Sequence, residues 1–407
     1  MKHLPLKLGI FVVLLFSAVI AVCLLWIPIK IKYYVHRLKS DNPEEKINAI
    51  DNLIKLGDKG KEALKKNFIE GEWAAKILIN SWSDVNSPIP AGYGKHKAMP
   101  LIAACNEEYT KVASLLLKKG ANIDGTEESR GRTALWWAIV MGNEDIVQFL
   151  IDRGASIQYV EHLCIEHPIH WLATMGDYKH ETHGKALNYF FDKGGNANLG
   201  KKLSEEKPLH WAVEYKQKEL SELLVSKGAD IEAQDSEGSR PLHLAIYAGD
   251  VPTIEYLVSK GADVTAKKRN GARPLHGASR YATKRTIELL IEKGADIKAV
   301  TNSGFTCLHI AAFYGRLDLL EFYLEKGLDI EAEVEGGWRP LHHAAFEERK
   351  ECAAFLLEKG ADVNAVSKSG MTPLDCALDK SHSETAELIR SHGGKAGEAL
   401  KKESDKK

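Results

Sequence analysis

Sixteen histidines are the residues of this 407-residue chain with the most chemistry to offer, since imidazole serves as general base, proton shuttle or metal ligand near neutral pH. Six of them, His170, His210, His243, His276, His309 and His342, occupy one slot of a recurring Pro-Leu-His-like motif, the last five at intervals of 33 residues. A residue that returns on a fixed clock belongs to a repeated scaffold. The local cluster outside that pattern is His162, Cys164, His167, His180, Glu181 and His183, whose imidazole and thiolate groups suit tetrahedral zinc. Yet the order His-Glu-Thr-His at 180–183 is not HExxH, and the two halves of the cluster fall in a hairpin and in an inter-helix loop. The cluster therefore reads as a solvated polar insert, and no metal is expected. No Walker-type phosphate loop, Gly-x-Ser-x-Gly elbow or dinucleotide fingerprint occurs. The chain reads as a non-enzyme, with no cofactor and no small-molecule substrate.

Composition points the same way. Lys plus Arg number 55 against 56 Asp plus Glu, so no overall charge draws the chain to nucleic acid, and Lys267-Lys268-Arg269 reads as a solvated turn tip. Cys23, Cys105, Cys164, Cys307, Cys352 and Cys376 form no CxxC pair and read as free thiols. A hydrophobic content of 44% is ample for a large core.

The elements that carry these residues are set by self-similarity. The motif leucine recurs at Leu209, Leu242, Leu275, Leu308, Leu341 and Leu374, always 33 apart, and Leu101, Leu135 and Ile169 fill the slot upstream. A turn glycine keeps the same register from Gly120 and Gly154 to Gly360 and Gly393, giving nine units. Each unit reads as turn, short helix, short helix, turn. In the fifth, Pro241 opens a helix with Leu242, Ala245 and Ile246 inward and Gly249 at its end, and Ile254, Leu257 and Val258 form the inner face of the next. Helices of about ten residues cannot bury such faces alone and must stack on neighbours. The third unit carries six extra residues around 178–185 between its helices.

The strings "PLHLA" at 241–245, "CLHIAA" at 307–312, "PLHHAA" at 340–345 and "GADVNA" at 360–365, with this period, resemble the ankyrin repeat over roughly residues 95–394. The resemblance implies an all-α repeat solenoid of nine stacked helix pairs with β-hairpin turns projecting to one side. It implies a motif histidine that hydrogen-bonds within the turns, and protein binding on the groove lined by turns and inner helices. Departures at the ends, Ile102 and Trp136 early and Asp375 last in the histidine slot, suit capping units. In the ankyrin-like register two positions at the end of each first helix face that groove. They hold Glu214 and Tyr215, Tyr247 and Ala248, Arg280 and Tyr281, Phe313 and Tyr314, then Phe346 and Glu347, one aromatic or more in each of repeats 4 to 8. Phe305 and Trp338 border the stripe from the turns. These aromatics are the expected anchors for a protein partner, with Arg280, Glu214 and Glu347 as rim charge.

Upstream, residues 8–29 run 22 residues without a charge, long enough to cross about 30 Å of hydrocarbon. A signal peptide cleaved after Ala21 and a lipoprotein at Cys23 are the rivals. The apolar run continues through Leu24, Leu25 and Trp26, and bulky Val22 precedes the cysteine, so an uncut anchor is preferred. Lys30, Lys32, Arg37 and Lys39 after the span outnumber Lys2 and Lys7 before it, which places the repeats in the cytoplasm. The layout is thus an anchor and basic flank at 1–39, a weakly HEAT-like helical neck or spacer at 40–82, a linker at 83–97, the solenoid at 98–394 and a polar, frayed tail at 395–407. The function that fits is a single-pass membrane scaffold that binds a protein partner in the repeat groove and touches lipid through its anchor. The rival is a structural or self-associating subunit of a membrane complex without a groove ligand.

Overall fold

Within each repeat the local signals predict the helices that form. In repeat 5, Pro241 sits at the first position of helix Pro241–Ala248, where its missing N–H costs nothing, and Gly249 ends the helix at φ 68°. The second helix, Val251–Ser259, closes on Gly261 at φ 90°, a conformation that a Cβ would strain. Leu242, Ala245, Ile246, Ile254, Leu257 and Val258 are all buried, as the pattern requires. Full burial of a leucine or isoleucine is worth about 1.5–3 kcal/mol, but only because adjacent repeats supply the other wall. In repeats 4 to 9 each first helix packs on its own partner and on the first helix or helices beside it.

The computed structural model describes residues 27–28, 30–68, 72–88, 99–127, 130–158, 167–176, 178–179, 181–200 and 205–404. They form two compact units. One spans residues 1–171 and 179–196, and the other residues 172–178 and 197–407, the division falling inside repeat 3. The anchor span at 8–29 lies outside the described residues apart from Ile27 and Pro28, as does most of the linker at 83–97. Among the described residues no helix is long and apolar enough to cross a membrane.

The β-hairpin expectation needs correction: among the described residues no strand forms. Each of the five turns between repeats 4 and 9 is closed across its base by one bond, Lys268 N–H to the Ala272 carbonyl at 2.9 Å for example. The last four of them pass one further bond to the preceding tip, as Asn302 N–H does to the Asn270 carbonyl at 3.0 Å. One closing pair per turn is too short for a strand ladder. The motif histidines brace these turns. His309 Nδ1 accepts the Thr306 N–H at 3.2 Å, so its proton sits on Nε2 and is donated to the Ala332 carbonyl of the next turn at 2.9 Å. His210 and His276 repeat the arrangement with Ala233 and Ala299.

The neck departs from the spacer and HEAT-like reading. Helix Pro43–Lys55 starts as its sequence predicts, with Asn42 Oδ1 accepting the Glu44 N–H at 2.9 Å. The pair that follows, Asp58–Asn67 and Glu72–Ser81, ends in a turn whose Asn86 accepts the Asn122 N–H at 2.7 Å and donates to the Gly120 carbonyl at 3.2 Å. Asn198 and Asn364 make the same two bonds to the repeat that follows each of them. Residues 58–88 are therefore an additional repeat-like unit stacked under repeat 1, a tenth among the described residues. At Gly60 a Cβ would stand 1.9 Å from the Leu53 carbonyl oxygen, so only glycine allows this close crossing of helices.

The tail is ordered up to residue 404 rather than frayed. Helix Gly397–Ser404 follows repeat 9, and Asp375 explains why the histidine slot changes there. Its carboxylate accepts the Thr372 N–H at 2.9 Å, as a motif histidine would, and also the Gly397 N–H at 2.8 Å. An imidazole presenting Nε2–H to a carbonyl could not receive that donor.

Candidate functional site

The first-helix ends of repeats 5 to 8 bring most of the expected residues together. Tyr247, Arg280, Tyr281, Phe305, Phe313 and Tyr314 line one pocket of about 530 Å³. Tyr247 and Tyr281 meet edge to face with centroids 5.6 Å apart, and Phe313 and Tyr314 at 4.9 Å. The Arg280 guanidinium lies between the rings of Tyr281 and Tyr314, 4.4 and 4.2 Å from their centroids, so this arginine is part of the pocket rather than a rim charge. Apart from Ile310 the rest of the lining is small or polar, with Asn270, Thr301 and Ser303 contributed by the turns. Phe305 is held where it is by the turn that precedes its helix, its N–H donating to Thr301 Oγ1 at 3.0 Å.

Two contributors were not legible as site residues. Gly277 occupies the position after the motif histidine, where repeats 5, 7 and 8 place Leu244, Ile310 and His343. A Cβ there would come within 2.8 Å of the Tyr247 ring, so the glycine makes room for the tyrosine to lie over the next repeat. His343 is 5% exposed, and neither ring nitrogen has a hydrogen-bond partner. Its ring sits 5.2 Å from Phe305, 6.0 Å from Phe313 and 5.2 Å from Trp338, and Trp338 in turn lies 5.2 Å from Phe346. His343 thereby joins the pocket rings to the repeat 8 aromatics in one run of contacts. Burial, followed by the neighbouring His309 and His342, pushes it down to about 3, so it is neutral at physiological pH. A signal for both existed in the sequence: across repeats 4 to 8 the slot after the motif histidine varies in size from glycine to tryptophan, while the histidine before it and the alanine after it do not change.

Tyr215 on repeat 4 is exposed and lines no pocket with the others, so the assembled stripe covers repeats 5 to 8 rather than 4 to 8. In the histidine-rich insert, His162, Cys164 and His180 lie outside the described residues. His183 opens the second helix of repeat 3 and is saturated by backbone, accepting the Lys179 N–H at 2.8 Å and pairing with the Val140 carbonyl at 2.9 Å. Among the described residues no group of three His, Cys, Asp or Glu is arranged to hold a metal ion. Cys105, Cys307, Cys352 and Cys376 are free and buried, and burial pushes the Cys105 and Cys376 thiols up to about 12.

Comparison with known proteins agrees with this architecture. A family profile described as ankyrin repeats (3 copies) matches residues 60–160, 171–268 and 265–334, beginning inside the neck, and one described as ankyrin repeats (many copies) matches 341–389. A fowlpox virus protein named for ankyrin repeats is 28% identical over 166 residues, 41% of this chain and 35% of the relative. A Rickettsia felis protein named likewise is 32% identical over 121 residues, 30% of this chain and 37% of the relative. The matches span about a third of each relative's length. With the period, the bracing histidines and the profiles in agreement, the chain belongs to the ankyrin-repeat family of protein–protein interaction modules.

Proposed function

We propose that this chain is a membrane-tethered scaffold that binds a protein partner along the aromatic stripe of repeats 5 to 8. The observation that carries the reading is the run of contacts from Tyr247 to Phe346 around a pocket of about 530 Å³, ring against ring except where the Arg280 guanidinium bridges Tyr281 and Tyr314. Large amphipathic side chains lose little entropy on binding and dominate interface energies, so such a row on an interaction module is its best candidate for contact. The uncharged run at 8–29 supports an uncut anchor, and the four-to-two excess of basic residues after it supports repeats on the cytoplasmic side. The test is affinity capture with the full chain against a combined Tyr247→Ala, Phe313→Ala and Phe346→Ala variant whose unfolding matches the parent. Equal capture by both would remove the groove assignment. A reporter enzyme that works only outside the cytoplasm, fused after Lys407, should stay silent; activity would reverse the topology.

A further inference from the structure

We infer that the pocket of repeats 5 to 7 takes an acidic, extended segment of the partner protein, with an apolar side chain entering among the rings and an adjacent carboxylate meeting Arg280; this rests on the groove reading above. Charge is the first ground. Arg280 is the charged side chain of the lining, and the turn that contributes Asn270 carries Lys267, Lys268 and Arg269 at its tip. Among the described residues no carboxylate pairs with any of these four, whereas other arginines of the same unit are neutralised. Arg240 pairs with Glu232 and Asp263, Arg273 with Asp296, and Arg339 with Glu331, Glu333 and Asp362. Four uncompensated cations beside a pocket lined by no acid attract an acidic ligand.

Geometry is the second ground. A guanidinium sandwiched between two tyrosine faces has little freedom left to lose, and its N–H edge remains available for a planar, two-oxygen acceptor. One arginine in the pocket matches a singly charged carboxylate, while recognition of a phosphoryl group draws on clusters of arginines. Gly277, in place of the leucine, isoleucine or histidine of the neighbouring repeats, lets the Tyr247 ring lie close enough to form one wall for the apolar side chain, and Asn270, Thr301 and Ser303 offer partners to an extended backbone. Glu237 at the repeat 5 tip, and Glu333 and Glu335 at the repeat 8 tip, confine the acidic part to repeats 6 and 7.

The experiment is display selection of a randomised library of roughly twelve-residue peptides on the full chain in detergent micelles. Enriched peptides are then titrated by fluorescence anisotropy against the parent, Arg280→Gln, Arg280→Lys, Gly277→Leu and the triple aromatic variant, each first checked for parental unfolding. The expected result is peptides with Asp or Glu beside an aromatic or aliphatic residue, weakened about tenfold or more by Arg280→Gln, in part restored by Arg280→Lys, and weakened by added salt. Neutral or basic peptides that the triple variant fails to bind would overturn the acidic assignment and leave the groove reading standing. No enrichment, or peptides that bind the triple variant as well as the parent, would remove both. Single-stranded oligothymidylate bound as tightly as the peptides, with the same dependence on Arg280, would replace the acidic peptide by a general polyanion.

Discussion

Acid should unfold this protein through its buried histidines, well above the range in which its carboxylates titrate. Burial, the dominant cause at each site, holds His243 and His309 down at about 4 and His343 at about 3, and it lowers His210, His276 and His342 as well. In the unfolded chain each returns to about 6.5. The folded values are the lower ones, so between about pH 6.5 and 4 the unfolded state binds more protons and stability rises with pH. The preference for neutral imidazole is fully present above about pH 6.5 and is lost as pH falls toward 4. A group that moves from 6.5 to about 4 contributes about 0.8 kcal/mol of this loss at pH 6 and about 2 kcal/mol at pH 5. His243, His309 and His343 together give about 6 kcal/mol at pH 5, an upper bound because a repeat array opens locally and titrates its opened units first. That rivals the whole stability of an ordinary domain, roughly 5–15 kcal/mol. The structural reason is at Nδ1. In five of the motif sites that nitrogen already accepts a backbone N–H, from Lys207, Arg240, Arg273, Thr306 and Arg339, so an added proton would face a donor. Glu384, by contrast, is held below its ordinary value by Lys350 and stays out of this window. Denaturant unfolding followed by tryptophan fluorescence at about pH 7.5, 6 and 5 reads the effect directly. An unfolding midpoint that does not fall between pH 7.5 and 5 would refute the reasoning. So would a His309→Gln variant with the same pH slope as the parent, since it should take up about one proton fewer on unfolding at pH 5.

Two further outcomes are expected. Leu308, fully buried in the first helix of repeat 7, should cost about 2–5 kcal/mol when replaced by alanine, read by denaturant unfolding, and a loss under about 0.5 kcal/mol would mean the burial register is wrong. Asp375→Ala removes the acceptor of the Thr372 and Gly397 N–H groups and should free helix Gly397–Ser404 at a cost of about 1–3 kcal/mol. Amide exchange in that helix as slow as in the parent would contradict it.

The repeat framework was legible because its signals are local and periodic. Proline at the helix start, leucine and alanine inside, and glycine at positive φ after the second helix each act within a few residues, and a 33-residue spacing multiplies the signal. Where one of those markers is missing, the reading fails. The unit at 58–88 has Trp82-Ser83 where other repeats have the turn glycine and alanine, so a register kept by glycine passes over it. Its Asn86 still makes the inter-repeat bonds, which depend on the turn backbone and not on the missing glycine. The tail differs from its composition for a related reason. A polar composition suggests fraying, but Asp375 and Asn364 supply acceptors for the Gly397 and Lys395 N–H groups, and those acceptors lie 22 and 31 residues upstream.

The candidate site divides along the same line. Aromatics at the ends of first helices fall on one face by period alone, and eight of the nine expected residues do come together in two adjoining groups. What makes a cavity of them is non-local: an absent side chain at Gly277, the wedge of His343 between Phe305 and Trp338, and a guanidinium clamped by tyrosines from successive repeats. A cavity is defined by what does not fill it, and one sequence weights present residues far more readily than missing volume. The position after the motif histidine carries that information here. Packing between repeats fixes the residues on either side of it, Ala245 and Leu242 for instance, because they are buried in every unit, while this slot is free to hold glycine, leucine, isoleucine, histidine or tryptophan. Variation of volume at one fixed slot, set against constancy beside it, is how a repeat protein shapes a binding face without disturbing the core that supports it.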